Sequence, residues 1–237
     1  MMDFVPWAKT PRLFRGMVVS EKIDGTNAAI AIEEWPIPVL SMDEFHRFID
    51  PGTEDRTSMS TLDGRYTAKV VWLDGKVYLV GAQSRKRMIT PEEDNFGFAR
   101  WVFDNAEELV QILGVGRHYG EWWGSGIQRG YGLTKGEKRF SLFNVKRYEP
   151  LLSSAAMFPG SNLVTEGILS QVPVLYEGPF DLDVIQDQMQ TLRTFGSKAA
   201  YGFMNPEGVV VFHEAAGQVF KSTLVNDEAP KGQVEAA

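Results

Sequence analysis

Between residues 68 and 82 the chain reads A-K-V-V-W-L-D-G-K-V-Y-L-V-G-A. Both arms are rich in β-branched and aromatic residues, and Asp74-Gly75 lies midway between them. Two-residue hairpin loops of type I′ need positive φ at both central residues, which Asp-Gly tolerates. The segment therefore predicts a tight antiparallel hairpin, and with it an antiparallel ladder on which the rest of the chain must build. Further strands are predicted at Val18–Val19, at A-A-I-A-I (28–32), and over residues 140–145, 172–176, 208–212 and 218–224. Helices are signalled by their caps. Ser41-Met-Asp-Glu44 is a capping box before a short helix. Thr90-Pro-Glu-Glu93 is a second, with Thr90 as N-cap, and Phe96, Ala99, Val102, Phe103, Ala106, Leu109, Val110 and Leu113 behind it as one buried face. Asp181 starts a third, with Ile185, Met189, Leu192 and Phe195 inward and Gly196 closing it. Strands without βαβ alternation indicate an α+β fold with mostly antiparallel sheets.

The 237 residues, 43% of them apolar, suffice for one large domain with a core that needs no covalent staples. One domain over residues 1–225 is expected, followed by a flexible polar tail at 226–237 and no separate C-terminal domain. No apolar run is long enough to span a membrane, and the N-terminus lacks the layout of a signal peptide. With no cysteine, disulfides, thiolate nucleophiles and cysteine zinc sites are excluded. These features predict a cytoplasmic protein. The net charge of −7 argues against coating nucleic acid by bulk charge, but leaves room for a local basic groove such as S-R-K-R (84–87).

The stretch V-V-S-E-K-I-D-G-T-N (18–27) places Lys22 between Glu21 and Asp24. A free lysine has a pKa of about 10.4, so a nucleophilic one must lose a proton and face an electrophile. Two neighbouring carboxylates are a poor activator unless a divalent metal and substrate phosphates draw on them. Gly25 would allow backbone to approach that group closely. Alone, K-x-D-G fits a surface turn as well as a nucleophile.

The order of later motifs adds to this. After E-K-I-D-G-T-N come S-R-K-R (84–87), Y-G-E-W-W-G-S-G-I-Q (119–128), F-S-L-F-N-V (140–145), P-E-G-V-V-V (206–211) and V-F-K-S-T (219–223). In this series the chain resembles the covalent nucleotidyltransferases, which include polynucleotide ligases and mRNA capping enzymes. The likeness is closest to the RNA ligase 2-like group, whose E-K-x-x-G-T-N, P-x-E-D-x-F-G and G-E-x-x-G-x-G-I-Q motifs all have counterparts here. It spans about residues 18–224.

The resemblance implies a nucleotidyltransferase (ligase adenylation-domain) fold, antiparallel β-sheets flanked by helices. It further implies an ATP-dependent RNA ligase using ATP and Mg²⁺ (or Mn²⁺). Lys22 would attack the α-phosphate, carry AMP as a covalent adduct, pass it to a 5′-phosphate of RNA (or DNA), and a 3′-OH would seal the strand. Glu21, Asp24, Gly25 and Asn27 would line the nucleotide site. Arg85 would face phosphate, Glu121 the ribose hydroxyls, and Phe143 would stack on adenine. Glu207 would place the metal, and Lys221 would neutralise the α-phosphate and help Lys22 lose its proton. One of Trp122 and Trp123 is expected in the core and the other at the site mouth, with Gln128 and Arg129 as candidate polynucleotide contacts. His46, His118 and His213 have no metal spacing.

Three positions depart from the family pattern. Asn144 stands where aspartate is usual, Phe212 where a lysine is usual, and Thr223 in place of a second late lysine. Alternative readings are a capping-type guanylyltransferase or end-adenylylating enzyme that does not seal, and a non-catalytic nucleotide- or RNA-binding relative. A partner protein replacing the absent C-terminal domain is a further expectation.

Overall fold

The chain's contacts group into two units. Met1–Ile23 and Val172–Ala237 form one, and Asp24–Gln171 the other. The computed structural model describes residues 3–35, 58–60, 67–157, 162–225 and 227; the helix expected after Ser41 lies outside them. In chain order the strands are β1 (Gly16–Lys22), β2 (Thr26–Glu34), β3 (Ser58–Ser60), β4 (Thr67–Leu73), β5 (Lys76–Ser84), β6 (Met88–Ile89), β7 (Gly116–Gly124), β8 (Lys138–Leu142), β9 (Leu169–Gln171), β10 (Val174–Pro179), β11 (Gly208–His213) and β12 (Gln218–Thr223). The helices are α1 (Phe98–Asp104), α2 (Ala106–Leu113), α3 (Val145–Ala155), α4 (Asn162–Thr165) and α5 (Leu182–Phe195).

In the first unit the described strands form an antiparallel sheet in the order β10-β1-β11-β12. Side chains alternate across a strand, so Met17, Val19, Val209 and Val211 share one face. There they form a core with Met189 and Leu192 of α5. Asp181 caps that helix by accepting from Asp183 N at 2.8 Å, and Gly196 ends it at φ 79°. Both ends lie where the sequence signals them. Phe195, expected inward, is 71% exposed, because the buried row runs 185, 189, 192 and next reaches position 196.

The second unit holds the sheet β3-β4-β5-β2-β7-β8-β9, with β6 paired to β5. Only β8–β9 is parallel among the described pairs. The predicted hairpin is β4–β5, and Asp74 (φ 51°) and Gly75 (φ 74°) occupy its turn with both φ positive. Ser58–Ser60 pairs with Thr67–Lys69 as an edge strand. Ala28, Ile30 and Ile32 on one face of β2 pack with Phe98, Val102, Leu109 and Leu113 of α1 and α2. On other positions of β4 and β5, Ala68, Val70, Val77 and Leu79 form a smaller cluster with Trp35.

The helix expected from Thr90 begins later. Thr90 does accept from Glu93 N, through both Oγ1 (3.3 Å) and its carbonyl (3.1 Å), but this closes an isolated turn. The Glu93 carboxylate pairs with Arg87 at 2.8 Å rather than reaching back to Thr90. Phe96 (φ 54°) and Gly97 (φ 79°) are both left-handed, so no helix can pass through them. Asp94 reaches the first turn from outside instead, accepting from Ala99 N at 2.7 Å and Arg100 N at 3.0 Å. Phe96 is consequently exposed, while Phe98, Ala99 and Val102 are buried. A break at Asn105 (φ −113°, ψ 17°) separates α1 from α2. The strand predicted to reach Val145 ends at Leu142, because Asn144 caps α3 by accepting from Arg147 N at 3.2 Å.

Candidate active site

Lys22 is the last residue of β1. Its Nζ lies 2.5 Å from a Glu207 carboxylate oxygen, and the two side chains are 19% and 4% exposed. Lys22 pairs with Gly208, which pairs with Thr223, and Ser20 pairs with Val210, which pairs with Lys221. By strand alternation Lys22 and Lys221 therefore share the sheet face that α5 does not cover. Phe212 and Thr223 belong to that same face. The substitutions that thin the family's cations thus fall on the lysine-bearing surface.

Glu21 points the other way. It is 1% exposed and accepts from Ser197 Oγ (2.6 Å), Lys198 N (2.7 Å) and Ala199 N (3.0 Å). Burial raises its pKa above the ordinary carboxylate value, although these three donors oppose the shift. Its carboxylate fastens the 197–199 backbone to β1. That role has no signal in the sequence, since Ser197 is 176 positions away.

In the second unit, the Asp24 carboxylate accepts from Arg129 Nε at 3.1 Å, and its backbone N–H donates to the Tyr131 hydroxyl at 2.9 Å. Gly25 N donates to Glu121 Oε1 at 3.1 Å. A Cβ on Gly25 would run into the Trp122 carbonyl and come within 2.8 Å of Trp123 Cβ. The glycine is therefore required by close packing on β7, independently of any ligand. Asn27 pairs with Glu121, which pairs with Ser141. By alternation Asn27, Glu121 and Phe143 lie on the face opposite α1 and α2. Phe143 is 39% exposed rather than core. Arg85 is exposed just past Ser84, which pairs with Ala28 beside Asn27.

Both tryptophans are buried, which corrects the expectation that one lines a site mouth. Trp122 belongs to the core and donates to Phe96 O at 3.2 Å. Trp123 donates to Ser141 Oγ at 2.9 Å and meets Tyr131 edge-on. Arg129, expected as a polynucleotide contact, holds Asp24. The glycine-rich G-S-G-I-Q-R-G-Y-G (124–132) is the one local sign that this loop folds back, with Gln128 (φ 43°) and Tyr131 (φ 50°) both left-handed.

The model of the RNA ligase family matches residues 15–223. The chain belongs to the RNA ligase family. The match runs from the start of β1 to the end of β12, and so takes in every motif quoted above. Among solved structures, the chain is similar to a Naegleria gruberi RNA ligase mutant with AMP and Mn (16% identity, TM-score 0.45). It is also similar to a mutant of that protein with ATP and Mn (13% identity, TM-score 0.43). In each case 88% of this chain and 49% of the other are covered, so this RNA ligase-family chain spans about half the length of those structures. No match is found among curated proteins. Within the family pattern, Asn144 in place of aspartate keeps its local function, because asparagine and aspartate cap helices equally well.

Proposed function

We propose that this chain is an ATP-dependent RNA ligase working through a lysyl-AMP intermediate on Lys22. The observation that carries the reading is the position of Lys22. It ends a strand of the family-matched region, partly exposed, in contact with the buried Glu207 and on the same sheet face as Lys221. In the first step Nζ leaves Glu207, gives up a proton to solvent and attacks the α-phosphorus of ATP. An N–P bond forms and the bond to pyrophosphate breaks. An oxygen of a 5′-phosphate then attacks the AMP phosphorus and frees Lys22. A 3′-OH finally attacks the activated 5′-phosphate, expelling AMP and joining the strand. Each step is an in-line displacement in which positioning and charge neutralisation do most of the work.

Lys221 is assigned to the α-phosphate, Arg85 to phosphate, Glu121 and Asn27 to the nucleoside, and Phe143 to adenine. Glu21, Asp24 and Gly25 act through the fold: the first anchors the 197–199 backbone, the second is held by Arg129, and the third packs on β7. Among the described residues no three His, Asp or Glu side chains cluster as a metal cage. Glu207 offers a single carboxylate, which suits Mg²⁺ or Mn²⁺ held mainly by phosphate oxygens and water. Such an ion would neutralise charge developing on the phosphates.

Denaturing the protein after incubation with α-labelled ATP and a divalent metal tests the reading. Label that is acid-labile and lost in Lys22→Ala is the expected result. Label from GTP alone favours a guanylyltransferase, and no label favours a non-catalytic relative, the reading suggested by Phe212 and Thr223 on the lysine-bearing face. Joining of 5′-phosphorylated RNA or DNA then decides sealing. Among the described residues no helix is long and apolar enough to cross a membrane.

A further inference from the structure

Between α5 and β11 the chain makes a tightly held loop that none of the reaction steps above uses. The Glu21 carboxylate takes Ser197 Oγ, Lys198 N and Ala199 N at its base. Ser197 Oγ in turn accepts from Ala199 N at 3.0 Å and Ala200 N at 3.1 Å. Ser197 N donates to Phe203 O at 2.8 Å, and Phe203 N donates to Ala200 O at 3.1 Å. The last bond closes a four-residue turn with Gly202 at φ 81°, the signature of a type II turn with Tyr201 at its second position. Nothing about that position calls for an aromatic residue; proline is the usual choice. Yet the Tyr201 side chain stands fully in solvent, at 106% relative exposure.

The loop lies at the end of the sheet where Lys22 lies. Glu21 and Lys22 end β1, and Glu207 directly precedes β11, whose first residue Gly208 pairs with Lys22. Around Tyr201 the same stretch exposes Phe195 (71%), Met204 (57%) and the cation Lys198. Exposed rings interleaved with a cation on a pre-set backbone are what single-stranded nucleic acid binds, because every base has a face to stack and a phosphate to neutralise. A rigid loop adds that contact without first having to order itself.

We infer that Tyr201 is a stacking platform for an unpaired base of the polynucleotide whose end is brought to Lys22, with Lys198 neutralising a neighbouring phosphate. This rests on the RNA ligase reading above and names a strand-binding surface for it.

Binding of short dye-labelled, 5′-phosphorylated single strands of RNA and of DNA, followed by anisotropy, tests it. The wild type is compared with Tyr201→Ala and Tyr201→Trp, and the melting temperature of each verifies its fold. Tyr201→Ala is expected to bind single strands about 10-fold more weakly, with Tyr201→Trp matching the wild type. A loss confined to RNA or shared by DNA supports the inference equally and identifies the sugar preference. Equal affinity of Tyr201→Ala and wild type overturns it, as does an equal loss on blunt duplex. Self-association that Tyr201→Ala abolishes while RNA binding is unchanged assigns the surface to protein and also overturns it. Lysyl-AMP formation by the wild type is scored separately. Label without Tyr201-dependent binding sinks this inference alone. Tyr201-dependent binding without label sinks the ligase reading alone.

Discussion

His118 is wholly buried on β7, and its two ring nitrogens are both engaged. Nε2 lies 3.0 Å from the Gly114 carbonyl, which can only accept, so Nε2 carries the proton and Nδ1 accepts from the Tyr148 hydroxyl at 3.0 Å. Burial, reinforced by the nearby Arg147 charge, lowers its pKa from 6.5 to about 4. The native state therefore stays unprotonated over a range in which the unfolded chain takes up a proton. The stability this represents is complete above pH 6.5 and drains away as pH falls towards 4, by about 3 kcal/mol. Urea unfolding between pH 7 and pH 4 should show the loss, and His118→Gln should flatten the profile across that window. An unchanged profile in the variant would mean that other groups carry the acid sensitivity. Sequence pattern left this histidine without a role. Its partners lie four positions away, at Gly114, and thirty away, at Tyr148, with no motif joining them.

Elements were legible where a cap or turn is chemically unambiguous. The Asp74-Gly75 hairpin and the Asp181-to-Gly196 helix stand where their residues place them. The 90–113 segment was harder to read because two caps compete for it. Thr90 and Asp94 both offer side-chain acceptors, and two left-handed residues at 96 and 97 set the start after them, with Gly97 in the N-cap position and Asp94 reaching the first turn from outside, a backbone choice that apolar periodicity does not record. The α3 helix stayed hidden for a related reason: Pro150 lies inside it, and the preceding strand pattern runs on into Val145. Since Asp94 satisfies two of the free N–H groups of α1, Asp94→Ala should cost about 1–2 kcal/mol. That appears as a lower urea midpoint with an unchanged slope, and Asp94→Asn should recover part of it. A midpoint equal to wild type would show that the helix start is held by packing instead.

For the molecule as a whole, the order of motifs along the chain carried the family assignment, and the match over residues 15–223 agrees with it. The division of labour within the first motif was not legible, because Glu21 and Lys22 point to opposite sides of β1. The carboxylates that seemed to oppose Lys22 are engaged elsewhere, Glu21 with the 197–199 backbone and Asp24 with Arg129. With a net charge of −7, the nucleic-acid binding proposed above would rest on a few local cations such as Arg85, Lys198 and Lys221. The logarithm of the RNA affinity should then fall against the logarithm of salt with a slope of about −2, as for some three neutralised phosphates on a single strand. A slope beyond about −5 would require a far wider basic surface than these three residues supply.

The packing of Gly25 against β7 bears on how such chains diverge. A methyl group there strikes backbone at Trp122, so the fold needs the glycine whether or not the protein turns over substrate. Glu21 is held by its loop in the same way. A descendant that gave up catalysis would be free to exchange its lysine long before it could exchange the residues on either side. Within the first motif Glu21, Asp24 and Gly25 are thus held by the fold itself, and Lys22 with its partner Glu207 is the part on which the proposed chemistry rests.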